Sequence, residues 1–239
     1  INTLAGNGSA VVLPLLVALG LPATVANGTN RVGVLLQCLI AYATFRQHTA
    51  LNIRAKTLSW LVVPSVLGAI VGVWLAVDIS EAAMNRALGI LMIILLFVVL
   101  FNPKSWLKER STSNPNFAKT PLSVSMMFCL GVYGGFVQAG TGVLMLAILV
   151  VGMGYTLKQA NPIKVLIVAI FTVPVLAIFV ASGQVNWWYA AVLTVGQGAG
   201  AWLGATFASS YPRANVWIRR LLIVIILFGI VKFFNIRFF

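Results

Sequence analysis

Apolar runs broken by short polar stretches fill almost the whole chain. They cover residues 9–19, 28–45, 58–77 and 87–101 (the last extended back through Met84), then 122–138, 143–151, 162–181, 187–208 and 216–234. A helix rises ~1.5 Å per residue, so about 20 apolar residues cross the hydrocarbon core of a bilayer. Runs 9–19 and 143–151 reach only about halfway by that measure. The pattern predicts an all-α, polytopic transmembrane helical protein in which the two short runs are broken or re-entrant elements. Trp187, Trp188 and Tyr189 open one span, and Trp60 and Trp217 stand at comparable edges, as interfacial aromatic residues do. Residues 102–120 form the one linker-like stretch, with two prolines, three serines and five charges.

The halves on either side of that linker repeat each other. At an offset of 134 residues, Ala5-Gly6-Asn7-Gly8 lies over Ala139-Gly140-Thr141-Gly142, Gly20 over Gly154, Ala26-Asn27 over Ala160-Asn161, and Arg86 over Arg220. With a two-residue slip Gly68 and Gly72 match Gly200 and Gly204. The order holds along the chain, which points to duplication. The division is then 1–101 for the first repeat, 102–120 for a cytoplasmic linker and 121–239 for the second repeat. Each half holds three full spans plus one broken element that either returns or crosses twice. Both counts are odd, so the halves insert with opposite orientation, as an inverted-topology repeat.

Composition narrows the class. The chain is 61% hydrophobic and 8% charged, against about 25% charged residues in ordinary soluble domains, so a soluble globular fold is excluded. The net charge of +13 would suggest nucleic acid in a soluble protein, but no segment is long enough to fold a reader domain. The basic residues sit between apolar runs, where topology accounts for them. The loop after Phe45 carries Arg46, Arg54 and Lys56, whereas its partner at 182–186 is uncharged; the loop after Val77 carries Asp78 and Glu81, whereas its partner carries Arg213, with Arg219 and Arg220 close behind. Equivalent loops of opposite character fit opposite sides. The positive-inside rule makes 46–56, 102–120 and the Arg213 loop cytoplasmic, with Lys232 and Arg237 running against it. Two cysteines inside apolar runs and one histidine, His48, in a loop offer no metal site, disulfide framework or acid–base cluster. The expectation is a non-enzymatic membrane protein without cofactor, whose partners are a small anion and the lipid bilayer, with a homodimer as a further expectation and no nucleic acid.

Candidate chemistry gathers at the glycine breaks. Gly6, Asn7 and Gly8, and again Gly140, Thr141 and Gly142, permit an unwound turn, which at membrane depth must be buried in protein or line a cavity. A half-helix starting there turns N–H groups and a positive dipole end toward that cavity, suiting an anion; simple Gly-x-Gly packing is the alternative. Asn27, Thr29, Asn30 and Arg31, and likewise Asn161 and Lys164, place amides and a cation near the start of a full span. No carboxylate lies at depth to pair with either cation, so each either binds an anion or snorkels to the interface. Gln138 abuts the second break and is a cavity candidate; Gln37 and Gln197 read as interhelical hydrogen-bonding groups. Gly68 and Gly72, and the run Gly196 to Gly204, read as close-packing faces.

These motifs resemble the sulfite exporter TauE/SafE family, also called the 4-toluene sulfonate uptake permease family. The resemblance rests on Ala5-Gly6-Asn7-Gly8, Leu13-Pro14-Leu15, Leu19-Gly20-Leu21-Pro22 and Ala26-Asn27-Gly28-Thr29-Asn30-Arg31. Asn7, Ser9 and Asn161-Pro162-Ile163-Lys164 depart from the family's usual residues. The resemblance implies a multi-pass secondary transporter or facilitator, in the bacterial inner membrane, of small sulfur-containing anions such as sulfite and organosulfonates including sulfoacetate. Transport of another inorganic or carboxylate anion, sodium-coupled through backbone carbonyls, is the alternative. The chain opens at Ile1 without a signal peptide, and a preceding stretch corresponding to the family's first helix is expected as the partner of 122–138.

Overall fold

A computed structural model describes residues 8–48, 55–100, 115–210 and 214–234. Every regular element among these is helical: α1 (Gly8–Ala18), α2 (Ala23–His48), α3 (Ala55–Asp78), α4 (Glu81–Leu100), a 3-10 turn (Pro115–Lys119), α5 (Pro121–Phe136), α6 (Thr141–Ala147) running into a π turn (Ile148–Gly152), α7 (Leu157–Ala181), α8 (Trp187–Ser210) and α9 (Ala214–Phe233). The all-α class follows. The helices Ala55–Asp78 and Gln159–Ala181 are long and apolar enough to cross a membrane. Outward faces are apolar rather than charged, with Trp60, Leu67, Trp74, Ile94, Val173 and Val195 all exposed, as a hydrocarbon solvent requires.

Three polar ties fix one end of the bundle. The Glu81 carboxylate, at the start of α4, accepts from the backbone N–H groups of Ala23 and Thr24 and from the Thr24 hydroxyl. It thereby supplies a negative charge to donors that α2 leaves unsatisfied in its first turn. Between α7 and α8, Gln184 Nε2 donates to the Val77 carbonyl at 2.9 Å and Asn186 N–H donates to Thr29 Oγ1 at 2.9 Å. The starts of α2, α4 and α8 and the ends of α3 and α7 therefore meet there. At the opposite end Phe117 packs beside Gly152, bringing the start of α5 and the end of the π turn together.

Helices α3 and α5 touch backbone to backbone. A Cβ on Gly68 would lie 2.1 Å from the Phe128 carbonyl oxygen, on Gly72 2.0 Å from that of Val132, on Gly131 2.2 Å from that of Ser65, and on Gly135 2.1 Å from that of Ala69. Small residues permit this approach, and in lipid such packing drives helix association. Contact positions rise together along both helices, so α3 and α5 run in the same direction. Phe136, the last residue of α5, lies against Gly72, six residues before the end of α3 at Asp78, so α5 stops about 9 Å short of that end. The chain then breaks and returns through α6 and the π turn to the end where α5 began. This is a helical hairpin whose tip stops inside the bundle, the returning form of the two that the 143–151 run allowed. Helix α1 is the counterpart: its start is tied at depth by Asn30 Nδ2 donating to Ser9 Oγ at 2.9 Å, and it leads to the end marked by Glu81.

Two sequence expectations shift. The polar groups 27–31 and 161–164 do not head their spans but lie inside α2 and α7. Arg31 stands eight residues past Ala23 and Lys164 seven past Leu157, about 12 and 10 Å along their helices. Both side chains are buried, at 0% and 3% exposure, so neither snorkels. Among the described residues, nothing lies within 4 Å of a Cβ placed on Gly196 or Gly200, and one on Gly198 meets only Ile40, so no close-packing partner is seen for that face.

Candidate functional site

The break after α5 is held open by local bonds. Val137 N–H returns to the Tyr133 carbonyl at 2.8 Å and ends the helix. The Tyr133 hydroxyl donates to the Ala139 carbonyl. Gly140 takes a left-handed φ of 79° at the N-cap of α6, a conformation costly for residues with a Cβ. Gly20 and Gly154, equivalent at the 134-residue offset, share this left-handed geometry with φ of 94° and 70°. Gly6 and Asn7 lie outside the described residues.

The break opens on a cavity lined by Ser9 from α1, by Val34, Gln37, Cys38 and Ala41 from α2, by Gln138, Thr141 and Gly142, and by Lys164, Val165 and Val168 from α7. Space open to the centres of water-sized molecules amounts to about 40 Å³, enough for ~3 waters or one compact anion. Lys164 Nζ is steadied by Asn161 Oδ1 at 2.9 Å, and Asn161 Nδ2 in turn donates to the Leu157 carbonyl at 2.9 Å. The Thr141 hydroxyl and Gln138 Oε1 are buried without a hydrogen-bond partner, although Gln138 Nε2 donates to Thr172 Oγ1 at 3.1 Å. Buried polar atoms are rarely left unpaired, because each costs free energy. From a cavity wall beside a buried ammonium they can pair with a solute. The threonine hydroxyl can donate to an anion, and the glutamine amide can turn its NH2 inward while accepting from Thr172.

Arg31 serves elsewhere. Its Nη1 donates to the Gly134 carbonyl and its Nη2 to the Gly135 carbonyl at 2.8 Å, and Nη2 also reaches Asn27 Oδ1 at 3.4 Å. Asn27 Nδ2 donates to the Phe136 carbonyl at 2.7 Å. One turn of α2 therefore satisfies three successive carbonyls at the end of α5, where the helix dipole is negative. The guanidinium also lies 5.6 Å from the centre of the Phe179 ring. Among the sequence candidates, Gln138, Thr141, Gly142 and Lys164 come together on the cavity, with Gly8 beside Ser9 and Asn30 behind Ser9. Asn27, Arg31, Thr29, Asn161 and Gly140 do not line it. Ser9, Gln37 and Cys38 were not among the candidates. Their signal is a stripe at positions 34, 37, 38 and 41 of one helix face that carries Gln and Cys among aliphatic residues. The described residues contain no group of three or more His, Cys, Asp or Glu placed to hold a metal.

Comparison with known proteins agrees with this architecture. Residues 1–233 match the family model described as sulfite exporter TauE/SafE, and the chain belongs to that family. A probable membrane transporter protein of Haemophilus influenzae is 29% identical over 205 residues, 86% of this chain and 78% of the relative. The probable membrane transporter protein YfcA of Escherichia coli K12 is 24% identical over 225 residues, 94% of this chain and 81% of the relative. No solved structure matches. The chain is thus a membrane protein of an anion-transporter family.

Proposed function

We propose that this protein is a multi-pass inner-membrane carrier that moves small sulfur-containing anions, sulfite in its singly charged form and short organosulfonates, through the cavity at the second glycine break. The reading is carried by one observation: a buried lysine and an unpartnered buried threonine hydroxyl, Lys164 and Thr141, face the same small cavity inside the bundle. Such a site offers a charge-assisted hydrogen bond and neutral donors to an oxyanion. A charge-assisted site of this kind holds an anion without acting on it, and this supports carriage as its chemistry.

An inverted repeat underlies the carrier. It is supported by the element order, α1 to α4 followed by α6 to α9. It is supported also by direction: α1 leads from the tip region to the Glu81 end, α6 leads to the opposite end, and α2 and α7 accordingly start from opposite ends. Basic loops at one end then mark the cytoplasmic face.

The buried charged residues are Arg31 and Lys164, with no buried carboxylate among the described residues. A side-chain proton relay therefore lacks its usual groups, and flux is expected to follow the anion gradient and the membrane potential, at about 2.3 kcal/mol per charge per 100 mV. In proteoliposomes with equal pH on both sides, sulfite efflux should accelerate when the interior is made negative. Flux that ignores potential and follows an imposed pH gradient, measured with a sulfonate ionised throughout, would contradict the proposal.

A further inference from the structure

We propose that the cavity selects small monoanions bearing a compact apolar substituent and rejects dianions of the same shape. The inference rests on the reading of this cavity as the substrate site and adds its charge and polarity rule. Among the described residues, Lys164 is the one charged side chain on the cavity wall. The second buried cation, Arg31, is turned onto the Gly134 and Gly135 carbonyls at the end of α5. One ammonium neutralises one negative charge. A second would enter a low-dielectric site without a counterion, where charges cost far more than at a surface. The hydroxyls of Ser9 and Thr141 can donate hydrogen bonds to an oxyanion, but they add no compensating charge.

The apolar part of the wall gives the rule its second half. Val34, Ala41, Val165 and Val168 share the cavity with the polar groups. An oxygen directed at these side chains loses its water and gains no donor, whereas a methyl group there gains burial. Space for about three waters also limits the substituent to a few atoms.

Methanesulfonate and sulfate separate these effects, because both are tetrahedral, equal in non-hydrogen atoms and fully ionised at pH 7, and they differ by one charge and one methyl for oxygen. Binding of each to the purified full chain in detergent is measured by calorimetry at matched ionic strength, with sulfite alongside. Methanesulfonate is expected to bind at least about tenfold more tightly than sulfate. Sulfate binding as tightly as methanesulfonate, or methanesulfonate failing where sulfite binds, overturns the selectivity rule and leaves the cavity as the site. Failure of all three to bind overturns the reading on which the rule rests.

Discussion

Lys164→Gln should bind sulfite at least tenfold more weakly than the wild-type protein while melting at the same temperature or higher in the absence of anion. The side chain is 3% exposed and lies on the cavity wall beside an unpartnered threonine hydroxyl. A hydrogen bond to a charged group contributes about 1.5–3 kcal/mol, and each 1.4 kcal/mol corresponds to roughly tenfold in affinity. Removing a buried charge also removes its desolvation cost, so the empty protein loses little. Lys164→Arg keeps the charge but offers a wider, planar donor group and should recover part of the affinity. Calorimetric titration and a melting curve on the same preparations read both effects. Unchanged sulfite affinity in Lys164→Gln would remove the electrostatic basis of the site.

Arg31→Gln should show the opposite pattern: a marked loss of stability with anion affinity retained in the folded fraction. The substitution leaves the Gly134 and Gly135 carbonyls without the guanidinium that now serves them. Each buried acceptor left unpaired costs about 1–3 kcal/mol, so the melting temperature should fall by roughly 5 °C or more. Lys at position 31 supplies a point charge that reaches one carbonyl where the Arg fork reaches two, and Arg31→Lys should fall between. Loss of anion binding at unchanged melting temperature would instead make Arg31 a ligand. The pair of variants thus distinguishes two buried cations that look alike in the sequence.

Their likeness in sequence, and their difference in the fold, shows what the chain alone can carry. Helices followed from the apolar runs, because in lipid every backbone group must be satisfied within the element. The 134-residue offset located Gly20 and Gly154, which share left-handed backbone, and the Gly68–Gly72 face packs on α5 as its spacing implied. The true start of α2 was hidden. Hydropathy rises only at residue 28, but the helix begins at Ala23 because Glu81, 58 residues away, accepts its first N–H. That tie shifts Asn27 and Arg31 from a span's edge to its interior. The depth of the α5 tip was equally illegible, since it depends on which carbonyls of α3 meet Gly131 and Gly135. At the register in which Asn27 overlies Asn161, Lys164 overlies Asn30 rather than Arg31. The two cations are therefore not equivalent positions, and only the second reaches the cavity.

The central claim is that the anion occupies the cavity bounded by the second glycine break, α2 and α7. Cys38 lines that cavity and is buried, while the other cysteine among the described residues, Cys129, is exposed. In a Cys129→Ser background, the rate at which a small anionic methanethiosulfonate reagent modifies Cys38 can be followed by mass spectrometry with and without sulfonate. Saturating methanesulfonate should slow the modification about tenfold or more, and the modified protein should no longer bind the anion. Modification that proceeds at the same rate in an anion concentration that demonstrably raises the melting temperature would place the anion elsewhere and contradict the account.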